Sequence, residues 1–162
     1  MDKIQVAIMM GSESDLPTMQ EAAKILKEFG VSYEIRVLSA HRSPKETAEY
    51  AEELKGRGCK IVIAGAGGSA ALAGVVAAHT SIPVIGIPIE TTALNGMDSL
   101  LSTVQMPPGV PVAGMAIGKA GAKNAALFAI RILSLSDKSL DEKLEKFRTD
   151  QRDKILKTRV EG

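Results

Sequence analysis

The chain has 162 residues, 20 Lys+Arg against 19 Asp+Glu for a net charge of +1, and only 3% aromatic residues with no tryptophan. This length suits one domain with a sizeable core. The absence of a basic surplus argues against a nucleic-acid partner, and no acidic block marks a disordered tail.

The first element is "IQVAIMM", an apolar run closed by Gly11 that reads as a buried parallel strand. "SDLPTMQEAAKILKEFG" follows with Leu16, Met19, Ala22, Ala23 and Leu26 at helical spacing and Gly30 as the stop. "SYEIRVLSA" reads as a second strand. In "SPKETAEYAEELKGRG", Ser43 is the expected N-cap, Pro44 takes the first helical position and Glu46 completes a capping box. "KIVIAGA" predicts a third strand, "SAALAGVVAAHT" a third helix and "IPVIGIPIE" a fourth strand. "MDSLLSTVQM" predicts a short helix, "PPGVP" a turn-rich loop, "VPVAGMAIG" a fifth strand and "KAGAKNAALFAIRILSLS" the helix after it. In the charged tail, Leu140, Leu144, Phe147, Gln151 and Ile155 fall along one face of a last helix, read as a packing element.

Alternating strands and helices imply a parallel sheet covered on both faces. The best match is an α/β, three-layer flavodoxin-like fold with strand order 2-1-3-4-5 and a C-terminal helix. The chain reads as a single domain, with an α/β core over 1–136 and a helical extension over 137–162. Much of the apolar content is Ala, Gly, Val and Ile, which give little area per residue, so part of the core is expected to be shared with other subunits. Cys59, the only cysteine, excludes an internal disulfide or a cysteine zinc site and reads as a structural bystander. The start "MDKIQVAIMMG" reads as no signal peptide, and no run of about 18 apolar residues occurs, so a soluble cytoplasmic protein without a membrane partner is expected.

In such a sheet, ligands bind outside the carboxyl ends of the strands at the switch point. Three loops leave strands 1, 2 and 3 there: "GSESD" (Gly11 to Asp15), "SAHRS" (Ser39 to Ser43) and "GAGGS" (Gly65 to Ser69). Each precedes a helix N-terminus, which favours an anion. Ser12, Ser14 and Ser39 can donate to phosphate oxygens, and Arg42 can grip phosphate or carboxylate with two prongs. Asp15 can accept from ribose hydroxyls, although Ser14 and Asp15 equally suit capping. His41 is the side chain of this cluster suited to moving protons near neutral pH. His79, near the end of the third helix, reads as structural. "GAGGSA" also matches a dinucleotide fingerprint, with Glu90 20 residues beyond Ala70, so a non-catalytic dinucleotide-binding module is a competing reading. "GMAIGKA" lacks P-loop spacing, "GSESD" is no nucleophile elbow, and the two histidines have no metal-ligand spacing.

"MGSESD", "SAHRSP", "IAGAGG", "ALNGMDSLLSTVQMPPGVPV" and "AIGKAGAKNAAL" together resemble the PurE family, the 5-(carboxyamino)imidazole ribonucleotide mutases of purine biosynthesis. The similarity runs from about Lys3 to Leu133. It implies a homo-octamer and a carboxylate shift from the exocyclic nitrogen to carbon 4 of the same imidazole, with no metal, nucleotide or biotin. It implies that Ser12, Ser14, Asp15, Ser39, Ala40 and Arg42 hold phosphate and ribose. His41 would be the acid and base, and Gly65, Ala66, Gly67 and Gly68 would line the imidazole pocket. "STVQMPPGVPV" is open to two readings, a pocket closure or a structural turn. One departure stands out. Many relatives carry histidine and proline where this chain has Ala71 and Ala73 in "GGSAALAG". A related branch carboxylates aminoimidazole ribonucleotide directly with carbon dioxide; its third loop differs, so the mutase is the favoured reading.

Overall fold

A computed structural model describes residues 3–159. Five parallel strands form one sheet in the order β2-β1-β3-β4-β5. They are β1 (Val6–Met10), β2 (Tyr33–Val37), β3 (Ile61–Gly67), β4 (Val84–Ile89) and β5 (Ala113–Gly114). The helices are α1 (Leu16–Phe29), α2 (Pro44–Glu53), α3 (Leu72–His79), α4 (Met97–Val104), α5 (Lys119–Ser134) and α6 (Lys138–Lys157). The flavodoxin-like order expected from the sequence is the one observed.

Pleating explains the two cores. Along β1, Val6, Ile8 and Met10 point to one face and pack with α1, α5 and α6. Ala7 and Met9 point to the other, where Tyr50, Ala51 and Leu54 lie beside Leu72, Ala73 and Val76. Both faces are dry, so β1 and β4 are buried throughout and need no polar alternation. In α1, Met19, Ala22, Ala23, Leu26 and Phe29 form the buried stripe, and Gly30 and Val31 return N–H groups to Lys27 and Leu26 to stop the helix.

The structure corrects four local readings. The fifth strand shrinks to Ala113–Gly114, because Pro111 has no N–H to extend the ladder. The third helix starts at Leu72 rather than Ser69. Tight turns, with Ala70 N–H to Gly68 O and Ala71 N–H to Ser69 O both at 2.8 Å, occupy the intervening residues. Ser43 flanks α2, but its hydroxyl makes no cap bond and the capping box with Glu46 does not form. The apolar face of α6 ends early. Leu140 and Leu144 are buried and Phe147 meets Phe29 edge-on at 5.8 Å, whereas Ile155 is 73% exposed. Asp137 caps α6 by accepting from Ser139 and Leu140 N–H groups.

Candidate active site

The carboxyl ends of β1, β2 and β3 deliver their loops to one cavity of about 460 Å³, within the range of small-molecule sites. Ser12, Ser14, Asp15, Ser39, Ala40, His41, Arg42, Ala66 and Gly67 all line it. Gly65 and Gly68 do not. Gly65 lies inside β3, buried against α1, where a Cβ would stand 2.3 Å from Met19 Sδ. Its lack of a side chain serves helix–sheet packing.

The first two loops are bound to each other. Leu38 N–H donates to Met10 O at 2.9 Å, and Arg42 Nη2 donates to Gly11 O at 2.6 Å. Within the second loop, Ser43 Oγ accepts from Ser39 N–H at 3.0 Å and donates to Ser39 O at 3.1 Å. This closed ring explains why Ser43 is not a helix cap. Ser39 Oγ accepts from Arg42 N–H at 3.2 Å and Nε at 3.4 Å, aiming the guanidinium across the cleft. The N–H groups of Ala40 and His41 have no acceptor among the described residues and remain open to a ligand. In the first loop, Ser12 Oγ accepts from Ser14 N–H and from Ser14 Oγ at 2.9 Å. Ser12 therefore caps the short 3-10 turn Glu13–Asp15 that leads into α1, and neither Ser14 nor Asp15 caps α1 through its side chain. Asp15 makes no side-chain cap bond. Burial pushes its carboxyl up from the ordinary value, with Ser12 N–H and the Arg42 charge opposing.

The third loop is built differently. Gly68 N–H donates to Ser99 Oγ at 2.9 Å, and Ser99 Oγ donates to Ile89 O at 2.6 Å. With the Ala70 and Ala71 N–H groups turned back on the loop, three amides that a dinucleotide fingerprint would offer to pyrophosphate are spent. The geometry disfavours that reading of "GAGGSA". His79 lies at the far end of α3, its Nδ1 3.0 Å from Glu52 Oε1 between α3 and α2, so it does not replace a side chain at Ala71. Ala71 itself lines the cavity.

A fourth wall, Ile89, Glu90 and Thr91 at the end of β4, completes the cavity; the sequence reading named Glu90 only for the dinucleotide alternative and missed the other two. The register pairs Gly67 with Ile89, so this strand end meets the same cleft as the third loop. The available signal was the rule about carboxyl ends, applied to three strands instead of four. Among the described residues no group of His, Cys, Asp and Glu has metal-ligand geometry.

The fold, with this serine- and arginine-lined cleft at its switch point, defines a flavodoxin-like α/β protein. The family model described as AIR carboxylase matches residues 5–154, and the chain belongs to that family. It is 57% identical to the N5-carboxyaminoimidazole ribonucleotide mutase of Saccharolobus solfataricus, over 98% of this chain and 99% of the relative. It is 55% identical to the mutase of the same name from Bacillus subtilis, over 94% of each. The crystal structure of Treponema denticola PurE superposes with a TM-score of 0.85 at 33% identity, covering 94% of both chains.

Proposed function

We propose that this chain is an N5-carboxyaminoimidazole ribonucleotide mutase of purine biosynthesis. The observation that carries the reading is the meeting of His41, Arg42, Asp15 and the Ser12–Ser14 and Ser39 hydroxyls in one cavity. The names of relatives sharing more than half of their residues supply the substrate. Arg42, Ser12, Ser14, Ser39 and the open amides of Ala40 and His41 take the phosphate, and Asp15 accepts from ribose. The heterocycle then lies over Ala66 and Gly67.

The reaction is a fragmentation and recapture. His41 gives a proton to the exocyclic nitrogen as its bond to the carboxylate carbon breaks and carbon dioxide forms. Carbon 4 attacks the retained carbon dioxide, and His41 takes the proton from carbon 4, returning to its starting state. Retention matters because a captive reactant has a large effective concentration. Ala71 offers no second titrating group, so one histidine handles both proton transfers.

Direct carboxylation of aminoimidazole ribonucleotide uses the second half of the same path and is the alternative named by the family model. Purified protein given N5-carboxyaminoimidazole ribonucleotide at low bicarbonate should form the carbon-4 carboxylate rapidly. Formation only from aminoimidazole ribonucleotide plus bicarbonate would establish the alternative, and inactivity with both would overturn the proposal.

The whole chain acts as one domain with residues 137–162 as an extension, in the cytoplasm, assembled as a homo-octamer. Leu94, in the turn before α4, and Met97, Leu101 and Val104 on α4 support assembly: they leave 57, 50, 48 and 43% of their surface exposed. Sedimentation as a monomer would refute it. No helix among the described residues is long and apolar enough to cross a membrane.

A further inference from the structure

Glu90 is a carboxylate in the cavity that the mechanism above does not use. Its side chain has no hydrogen bond or ion pair among the described residues, yet its neighbours on both sides are anchored. The carbonyl of Ile89 accepts from buried Ser99 at 2.6 Å, and Thr91 Oγ1 donates to Asp98 Oδ1 at 2.7 Å. Gly96 packs so closely that a Cβ there would stand 3.2 Å from Glu90 Cα. Anchored neighbours thus present an unpartnered carboxylate at the cleft, where a ligand donor can meet it.

Its position says what it accepts. The Arg42 guanidinium rests on Gly11 O at the end of β1 and Glu90 follows β4, two strand spacings apart in the sheet order, or about 10 Å. The cleft thus has Arg42 facing Asp15 towards one end and a carboxylate without a partner at the other. A ribonucleotide whose phosphate lies at Arg42 directs its heterocycle towards Glu90. We propose that Glu90 accepts a hydrogen bond from the exocyclic amine of the aminoimidazole, making it a residue that selects and orients the heterocycle; this rests on the ribonucleotide reading above. The same contact aids carbon–carbon bond formation. When carbon 4 attacks carbon dioxide, the electron pair comes from the amine nitrogen, which becomes positively charged until carbon 4 loses its proton. A carboxylate beside that nitrogen stabilises the charge as it develops.

The test is a binding cycle by calorimetry with aminoimidazole ribonucleotide and the imidazole ribonucleotide that lacks the amine, on wild type, Glu90→Ala and Glu90→Gln. Glu90 is exposed, so neither substitution touches the core. Wild type should prefer the amino ligand by roughly tenfold or more, the range of a hydrogen bond to a charged group. Glu90→Ala should cut this preference to about twofold or less while leaving affinity for the des-amino ligand unchanged, and Glu90→Gln should fall between. An unchanged preference in both variants would overturn the assignment. So would equal loss of affinity for both ligands, which marks a structural role. Wild type binding both ligands without preference would sink Glu90 alone, whereas binding neither would sink the ribonucleotide reading and this inference with it.

Discussion

Arg42 reaches from the end of β2 to the carbonyl of Gly11 at the end of β1, with Nη2 to O at 2.6 Å. One side chain therefore clamps two loops while its remaining donors face the cleft. Arg42→Ala is expected to weaken ribonucleotide binding by about 1.5–3 kcal/mol, roughly ten- to a hundredfold, since contacts to a charged phosphate are strong. Arg42→Lys should recover only part, because a point charge cannot hold carbonyl and phosphate together in fork geometry. Calorimetric titration with aminoimidazole ribonucleotide checks this; wild-type affinity in the Ala variant removes the clamp from the binding scheme.

His41 lies in the same turn, and its side chain makes no hydrogen bond among the described residues. His41→Asn should keep ribonucleotide affinity within about threefold and lower kcat by about 10²–10⁴, the range for loss of a general acid–base group. Single-turnover kinetics beside titration separate the two effects. Unchanged turnover would take His41 out of the chemistry.

Asp15 trades stability for binding. A carboxyl whose pKa is higher in the folded than in the unfolded chain contributes stability that is complete below the ordinary value and disappears as pH rises through the raised one. Above that raised value the carboxylate form is therefore a cost. Asp15→Asn should raise the Tm of ligand-free protein at neutral pH, with the gap closing as pH falls through the carboxylate range. The same variant should bind ribonucleotide more weakly. A Tm gap independent of pH would contradict the argument.

Ser99 is a buried hydroxyl that satisfies two backbone groups, Gly68 N–H and Ile89 O. Ser99→Ala leaves both unpaired and should cost about 1–3 kcal/mol. For a chain of this length that lowers Tm by roughly 2–4 °C per kcal/mol. Thermal melts decide it, and an unchanged Tm would show that the pair is satisfied in another way.

Cys59 is 3% exposed, its S–H donates to Ile61 O at 3.3 Å, and burial pushes the thiol up from its ordinary value. Thiolate is the reactive form, so a disulfide reagent should label Cys59 slowly in the native protein and fully in denaturant. Rapid native labelling would overturn its reading as an inert packing residue.

The sequence by itself determined the elements whose causes are local. β1 and β4 were legible as unbroken apolar runs because strands buried on both faces require nothing else. α1 was legible from the spacing of Met19, Ala22, Ala23 and Leu26. Alternation of strands and helices made a parallel sheet legible, and the flavodoxin-like order was the best match for five strands; the sheet itself settled that order and with it the meeting of the "GSESD" and "SAHRS" loops. What only the tertiary structure decided depends on partners distant in the chain. Ser43 lost its cap role because Ser39 offers both a donor and an acceptor across a closed turn. Gly65 became a packing position through Met19, and the third loop spent its amides on Ser99 and on itself. Glu90 joined the site because β4 lies beside β3 in register, with Ile89 opposite Gly67. Periodicity reports which face a residue occupies, but hydrogen-bond partners and close approaches form only when separate elements are brought into contact.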